Sequence, residues 1–369
     1  MLPNWNLPWF PKWNKENPTD VYGPAIVIGA AMGGVVVAAI IMLYGSAYGT
    51  TSTQTGPRGA GMSVPEFNSD IALGDPTVED YYTDEVLLPE EGEELAKDVY
   101  ENVQVLGDLT DANFNRLMVA MTQWVSPEQG CAYCHNEENL ASDELYTKVV
   151  SRRMIQMTQN INENWDGHVG DVGVNCYSCH RGENVPSGIW YKISPGLESV
   201  EGWSANQNLA TDQSVSTSLP HDALEKLLLE DGRISVHDLE PRVPGVPGQG
   251  DLASIQDTER TYSLMNYFSN SLGVNCTFCH NTRAFYDGAQ VTPQWATASM
   301  GIEMVREMNN DYIVPLTDTL PDYRLGPKHA DAPKAACLTC HKGHQKPVGG
   351  VEMLADWPEL AAEGAPEYE

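Results

Sequence analysis

Cys131-Ala132-Tyr133-Cys134-His135, Cys176-Tyr177-Ser178-Cys179-His180, Cys276-Thr277-Phe278-Cys279-His280 and Cys337-Leu338-Thr339-Cys340-His341 repeat one pattern, C-x-x-C-H, four times in 369 residues. In this pattern two cysteines form thioethers to a porphyrin, and the adjacent histidine becomes the proximal iron ligand. The four motifs use all eight cysteines. Histidine occurs only nine times in the chain, so its recurrence after every pair sets aside zinc and dithiol readings of C-x-x-C. The chain is therefore expected to carry four covalent haem c groups, with His135, His180, His280 and His341 on the irons. No cysteine is left over for a structural disulfide. Four apolar macrocycles can form the core around which short helices and long loops pack, which makes the fold mainly α. Haem is joined to such motifs outside the cytoplasm, on the periplasmic side in a bacterium.

Ala25 to Leu43 is a run of nineteen residues without a charge. As a helix it spans a bilayer core of about 30 Å, and it exceeds the apolar stretch of a cleaved signal peptide, about 7–15 residues. Lys12 and Lys15 precede it and the next basic residue is Arg58, so the N-terminus is expected on the cytoplasmic side. Trp5, Trp9, Phe10 and Trp13 suit either the membrane interface or the surface of a partner.

Composition divides the chain further. Residues 1–20 read as a cytoplasmic or interfacial segment, 21–45 as the anchor, and 46–85 as a Gly/Ser/Thr/Pro-rich tether running into an acidic stretch. Residues 86–200 hold the first two motifs, 201–257 a connection with one short helix at 221–230, 258–348 the last two motifs, and 349–369 an acidic tail expected to be ordered only in part. Gly173-Val174-Asn175-Cys176 and Gly273-Val274-Asn275-Cys276 are the same tetrapeptide, so the motifs pair as one with two and three with four. The formal charge of −30 argues against nucleic acid or anionic lipid and favours a small basic protein as partner.

What precedes each motif decides whether its iron has a second protein ligand. Phe114, Leu117, Met118, Met121 and Val125 share a helical face before the first motif, behind a helix start at Thr110-Asp111. Val150, Met154, Met157 and Ile161 do so before the second. Thr261, Met265, Phe268 and Leu272 do so before the third, with Gly273 ending the helix. A single Met in such a stripe is more often core packing, but its threefold recurrence points to thioether ligands. For the fourth motif the candidates are Met300, Met304 and Met308, about thirty residues back, and His168 in a Gly-rich loop ahead of the second motif.

With these residues the chain resembles the tetrahaem cytochrome subunit of purple-bacterial photosynthetic reaction centres. The similarity covers most of residues 85–348, in runs such as RLMVAMTQWVSPEQGCAYCH, SRRMIQMTQNINENWDGHVGDVGVNCYSCHRG and TYSLMNYFSNSLGVNCTFCHN. The resemblance implies three Met–His haems and one bis-His haem. Met118, Met154 and Met265 then ligate the first three irons, and His168 ligates the haem of Cys337 and Cys340. Met121 and Met157 become neighbours. It further implies electron delivery to the photo-oxidised bacteriochlorophyll pair, with the L and M subunits as partners and H and the light-harvesting ring in the same complex. The soluble donor would be a basic cytochrome c or a high-potential iron–sulfur protein. Many relatives are held by a lipidated N-terminal cysteine, a role that falls here to the Ala25–Leu43 span. Trp295 stands where some relatives carry arginine. Six-coordinate irons leave no place for substrate, which separates this reading from a membrane-anchored tetrahaem quinol dehydrogenase or a multihaem reductase.

Overall fold

The computed structural model describes residues 12, 15–16, 22–193, 219–237, 254–326, 328 and 330–368. It divides into two units, one comprising the chain through Ser52 with Pro65–Ala72, the other Thr53–Val64 with Leu73 onward. In the first, helix α1 runs from Tyr22 to Tyr48, about 40 Å at 1.5 Å per residue. Its window Ile26–Leu43 has a mean hydropathy of 2.7 and none of it is buried, so it is long and apolar enough to cross a membrane.

The stretch expected as a tether is in part a hairpin. Strand β1, Thr50–Gln54, pairs with β2, Ser63–Phe67, and Gly56, Pro57, Gly59 and Gly61 lie between them. The Gly/Pro content that reads as a linker is thus turn chemistry between two short strands. Within the second unit Met62 and Val64 are buried. Thr277 Oγ1 donates to Ser63 O at 2.6 Å and Thr55 Oγ1 to Thr277 O at 3.2 Å, so the hairpin end is stitched to the third C-x-x-C-H motif.

The second unit is built from helices that each precede or carry a motif. Helix α2, Asp111–Val125, starts at the Thr110 cap, whose hydroxyl accepts from Asn113 N. Helix α3 spans Tyr146–Asn164 and the one-turn α4 Asp166–Val169. The second motif is itself a short helix, α5, Cys176–His180. In the connection, α6 covers only Ala223–Leu228, because His221 and Asp222 form the turn ahead of it. Residues 194–218, which include the start of the connection, and 238–253 within it lie outside the described residues. Helix α7, Ile255–Leu272, is capped by Ser254 and closed by Gly273 at φ +65°. Helix α8 is Pro293–Glu307, the fourth motif forms α9, Cys337–His341, and α10 is Met353–Asp356.

Two apolar clusters hold these elements. One gathers Leu117, Ala120 and Trp124 of α2 with Ile155, Tyr177, Val348, Met353, Trp357 and Leu360. The other joins Leu224, Leu227 and Leu228 of α6 with Leu264, Tyr267, Ile302, Val305 and Trp190. The acidic tail therefore does not trail into solvent. Met353, Trp357 and Leu360 bury one face of it, Trp357 meets Trp124 edge-on at 4.8 Å, and Glu359 pairs with Arg116. Its charges outvote that apolar stripe in composition, but not in burial.

Candidate functional site

A cavity of about 980 Å³ opens between the helices. Its wall includes Cys176, Cys179 and His180 of the second motif, Cys337, Cys340 and His341 of the fourth, Cys279 of the third, and both Met154 and His168. Val150, Met154, Met157 and Ile161 of α3 all line it, as do Phe268 and Leu272 of α7. The helical stripe inferred before the second motif thus faces this apolar space whole, and the one before the third reaches it with Phe268 and Leu272 only. On α2 the most buried apolar residues are Leu117, Ala120 and Trp124; Met121 and Val125 line the cavity, while Phe114 and Met118 are half-buried outside its wall. Cys131, Cys134, His135 and Met118 are not in the cavity wall, and neither are Cys276, His280 and Met265.

Each motif histidine is oriented by the same device. Nδ1 stands within hydrogen-bond distance of a backbone carbonyl: His135 to Leu140 at 3.1 Å, His180 to Glu183 at 2.8 Å, His280 to Phe285 at 2.9 Å and His341 to His344 at 3.0 Å. A proton held on Nδ1 in this way leaves the Nε2 lone pair for a metal. His168 does the same, with Nδ1 2.9 Å from Thr297 O. Its ring faces that of His341 with centroids 6.2 Å apart. Burial pushes the pKa values of His168 and His180 down and that of His341 down to about 4. All three are therefore neutral near pH 7, the form that ligates.

The local fold distinguishes the motifs in pairs. The second and fourth are α-helical turns in which Ser178 Oγ accepts from Asn175 N and Thr339 Oγ1 from Ala336 N, at 3.1 and 2.9 Å. Arg181 and Lys342 close them in the left-handed region at φ +51° and +49°. The first and third are 3₁₀ turns with Tyr133 and Phe278 in place of the hydroxyl residue. Their histidines reach a carbonyl five residues on, against three for the second and fourth. The residue before the second cysteine, aromatic or hydroxyl, is the signal for this alternation. Another repeated signal is Met-Thr-Gln: Thr122 Oγ1 donates to Met118 O and Thr158 Oγ1 to Met154 O, at 3.0 and 2.9 Å.

One pair of cysteines departs from expectation. Cys179 and Cys340 are joined in a disulfide, with Cα atoms 4.4 Å apart. A sulfur bonded to sulfur cannot also carry a thioether, so this bond and the two haem linkages are alternatives. Its position shows α5 and α9 packed side by side, with the second and fourth motifs adjacent. The remaining six cysteines are free. Burial pushes the Cys176 and Cys337 thiols up to about 12 and Cys279 to about 11, the opposite of a low-pKa metal-thiolate pocket. Among the described residues no group of three His, Cys, Asp or Glu side chains is arranged to hold a bare metal ion. Free Nε2 atoms, attachment cysteines and an apolar cavity fit a porphyrin instead.

The family model of the photosynthetic reaction centre cytochrome c subunit matches residues 47–361. The chain is a member of that family. It is 63% identical over 367 residues to a photosynthetic reaction center cytochrome c subunit of Roseobacter denitrificans, covering 98% of this chain and 99% of that one. Proteins of the same name from Rubrivivax gelatinosus and Thermochromatium tepidum are each 45% identical, over 72% of this chain and 71% and 64% of theirs. A cytochrome c-554 of Chloroflexus aurantiacus is 32% identical over half of the chain. As a reaction-centre cytochrome c subunit the protein transfers electrons and carries covalent haem c.

Proposed function

We propose that this cytochrome c subunit binds four six-coordinate haems, takes electrons from a soluble carrier on the periplasmic side, and re-reduces the photo-oxidised bacteriochlorophyll pair of the L and M subunits. Cys131 and Cys134, Cys176 and Cys179, Cys276 and Cys279, and Cys337 and Cys340 hold the four porphyrins. His135, His180, His280 and His341 would hold the irons as proximal ligands, and Met118, Met154, Met265 and His168 would supply their second protein ligands. Bound there, haem c would supply one-electron exchange between Fe(III) and Fe(II).

The observation that carries this reading is the facing pair His168–His341. Metal–imidazole bonds of about 2 Å plus a ring radius of about 1.1 Å on each side put the centroids of a bis-imidazole iron about 6 Å apart, against the 6.2 Å found. The carbonyls of Thr297 and His344 engage Nδ1 of the two rings, which leaves Nε2 of each available for the iron. The apolar wall of α3 and α7 excludes water from the irons, and thioether ligation favours Fe(II) where imidazole favours Fe(III). Cys179 and Cys340, drawn together by α5 and α9, make the second- and fourth-motif haems neighbours. Helix α1 anchors the chain with its N-terminus cytoplasmic. The test is haem content by pyridine haemochrome and intact mass, with carbon monoxide added to the reduced protein. Four haems without carbon monoxide binding are expected; three haems, or a ligand-accessible iron, refute the reading.

A further inference from the structure

Arg324 is a half-buried cation in the cavity wall, on a 3₁₀ turn spanning Asp322–Arg324. Its guanidinium donates only to phenols: Nε to Tyr146 Oη at 3.3 Å and Nη2 to Tyr133 Oη at 3.5 Å, while Tyr323 and Tyr146 share a hydroxyl contact at 3.3 Å. Among the described residues no carboxylate stands within ion-pair distance of it, whereas Arg116, Arg152, Arg181, Arg260 and Arg306 each face an Asp or Glu, and Arg153 and Arg283 meet amide or backbone oxygens. In a chain of formal charge −30, an arginine kept among neutral hydroxyls on the wall of a cofactor cavity is placed for an anion that is not a side chain. Tyr133 and Tyr146 both accept from the guanidinium, so their hydroxyl hydrogens remain to donate to a third group.

We propose that Arg324, Tyr133 and Tyr146 together seat a propionate carboxylate of the second-motif haem, making Arg324 a positioning residue that raises that haem's potential. This rests on the reading that the second motif carries haem. The assignment to that haem follows from the wall itself. Tyr146 lies on α3 two turns before Met154, and both share the cavity with Cys176 and His180, whereas the cysteines of the first motif do not. Tyr133 belongs to the first motif, so the seat ties the first attachment loop, α3 and the segment before the fourth motif to one anionic group. A guanidinium beside the propionate offsets its negative charge and so favours Fe(II); without it Fe(III) gains.

The experiment is redox titration of the full membrane-bound protein, with haem content measured on every sample. The second-motif wave is identified by Met154→His, which lowers it. In Arg324→Gln the Fe(III)/Fe(II) ratio of that haem at fixed potential is expected to rise about tenfold, about 59 mV for one electron, and its midpoint to gain a pH dependence, while the other three stay in place. Arg324→Lys, which keeps the charge, restores most of the shift, and Tyr133→Phe gives a smaller shift of the same sign. An unchanged second-motif wave at full haem content, a shift confined to another haem, or equal effects of Gln and Lys overturn the proposal. If Arg324→Gln fails to assemble, Tyr133→Phe decides. A wild-type chain without haem at the second motif refutes the underlying reading instead, and haem content separates the two failures.

Discussion

Gly301 lets His168 reach its place. A Cβ built at Gly301 would lie 2.5 Å from His168 Cε1 and 2.8 Å from Nδ1, inside any real contact distance. Gly301 sits one turn after Thr297 on α8, so the missing side chain is what admits the imidazole to the Thr297 carbonyl. Gly301→Ala is expected to push the ring off that carbonyl, at about 1–3 kcal/mol for an overpacked contact, and to weaken the bis-His signature of one haem. An unchanged low-spin spectrum and unfolding midpoint would show that the ring has room elsewhere. His168→Met should raise the potential of the fourth-motif haem alone, because only that iron exchanges imidazole for thioether. A redox titration in which the second-motif wave moves instead reassigns the ligand. His168 is visible in the sequence as a histidine inside a glycine loop next to a motif. Its two supports are not, since Thr297 and Gly301 lie well over a hundred residues away and carry no local mark of the contact.

At the scale of elements, the sequence shows the helices well and their ends less so. The helices that carry the Met stripes, the Thr110 cap and the Gly273 stop form where the sequence places them, since each rests on local chemistry. The left-handed Arg181 and Lys342 have no such signal, because a non-glycine residue enters that region only when its surroundings hold it there. Arg181 is held by Asp75 and by the Cys340 carbonyl, the latter 3.2 Å from Nη2, and both contacts are distant in sequence. The tail is the clearest case of composition misleading. Arg116 Nη1 meets Glu359 at 3.1 Å with both side chains almost fully buried, and its Cζ lies 3.8 Å from the Trp357 ring centroid. Burial raises the Glu359 pKa while the arginine opposes it. Arg116→Ala therefore strands a carboxylate and opens a gap on the indole, and should destabilise by about 3–5 kcal/mol. The double variant Arg116→Met with Glu359→Leu should lose much less, since it leaves no buried charge. Urea unfolding of the two haem-loaded variants makes the comparison, and equal losses would assign the effect to packing on Trp357 alone.

For the whole molecule, attachment and approach are separate questions. Helix α1 is the candidate span, so replacing residues 1–45 with a cleavable signal should release a soluble haem protein; persistent attachment through detergent and salt washes would give the anchoring role to the haem unit's own surface. Approach of the donor is governed by charge. The formal charge of −30 comes from 51 acidic against 21 basic residues, and eleven of the acids fall between Arg58 and Lys97 without a basic residue among them. Most of that stretch is solvent-exposed, including Glu79, Asp80, Glu85, Glu90, Glu91 and Glu93, so the field reaches into solvent rather than being spent on internal pairs. A field of this sign steers a basic carrier and raises its association rate by a factor of about 10–10³ at low ionic strength. Salt shortens its reach, to a Debye length of about 8 Å at 0.15 M. The second-order rate of haem re-reduction by a basic cytochrome c should therefore fall steeply as salt rises, with neutralisation of the 79–94 acids lowering the low-salt rate and flattening the slope. A rate that is flat or rises with salt in the unaltered protein would mean that donors dock on apolar surface, and the excess charge would then serve solubility alone.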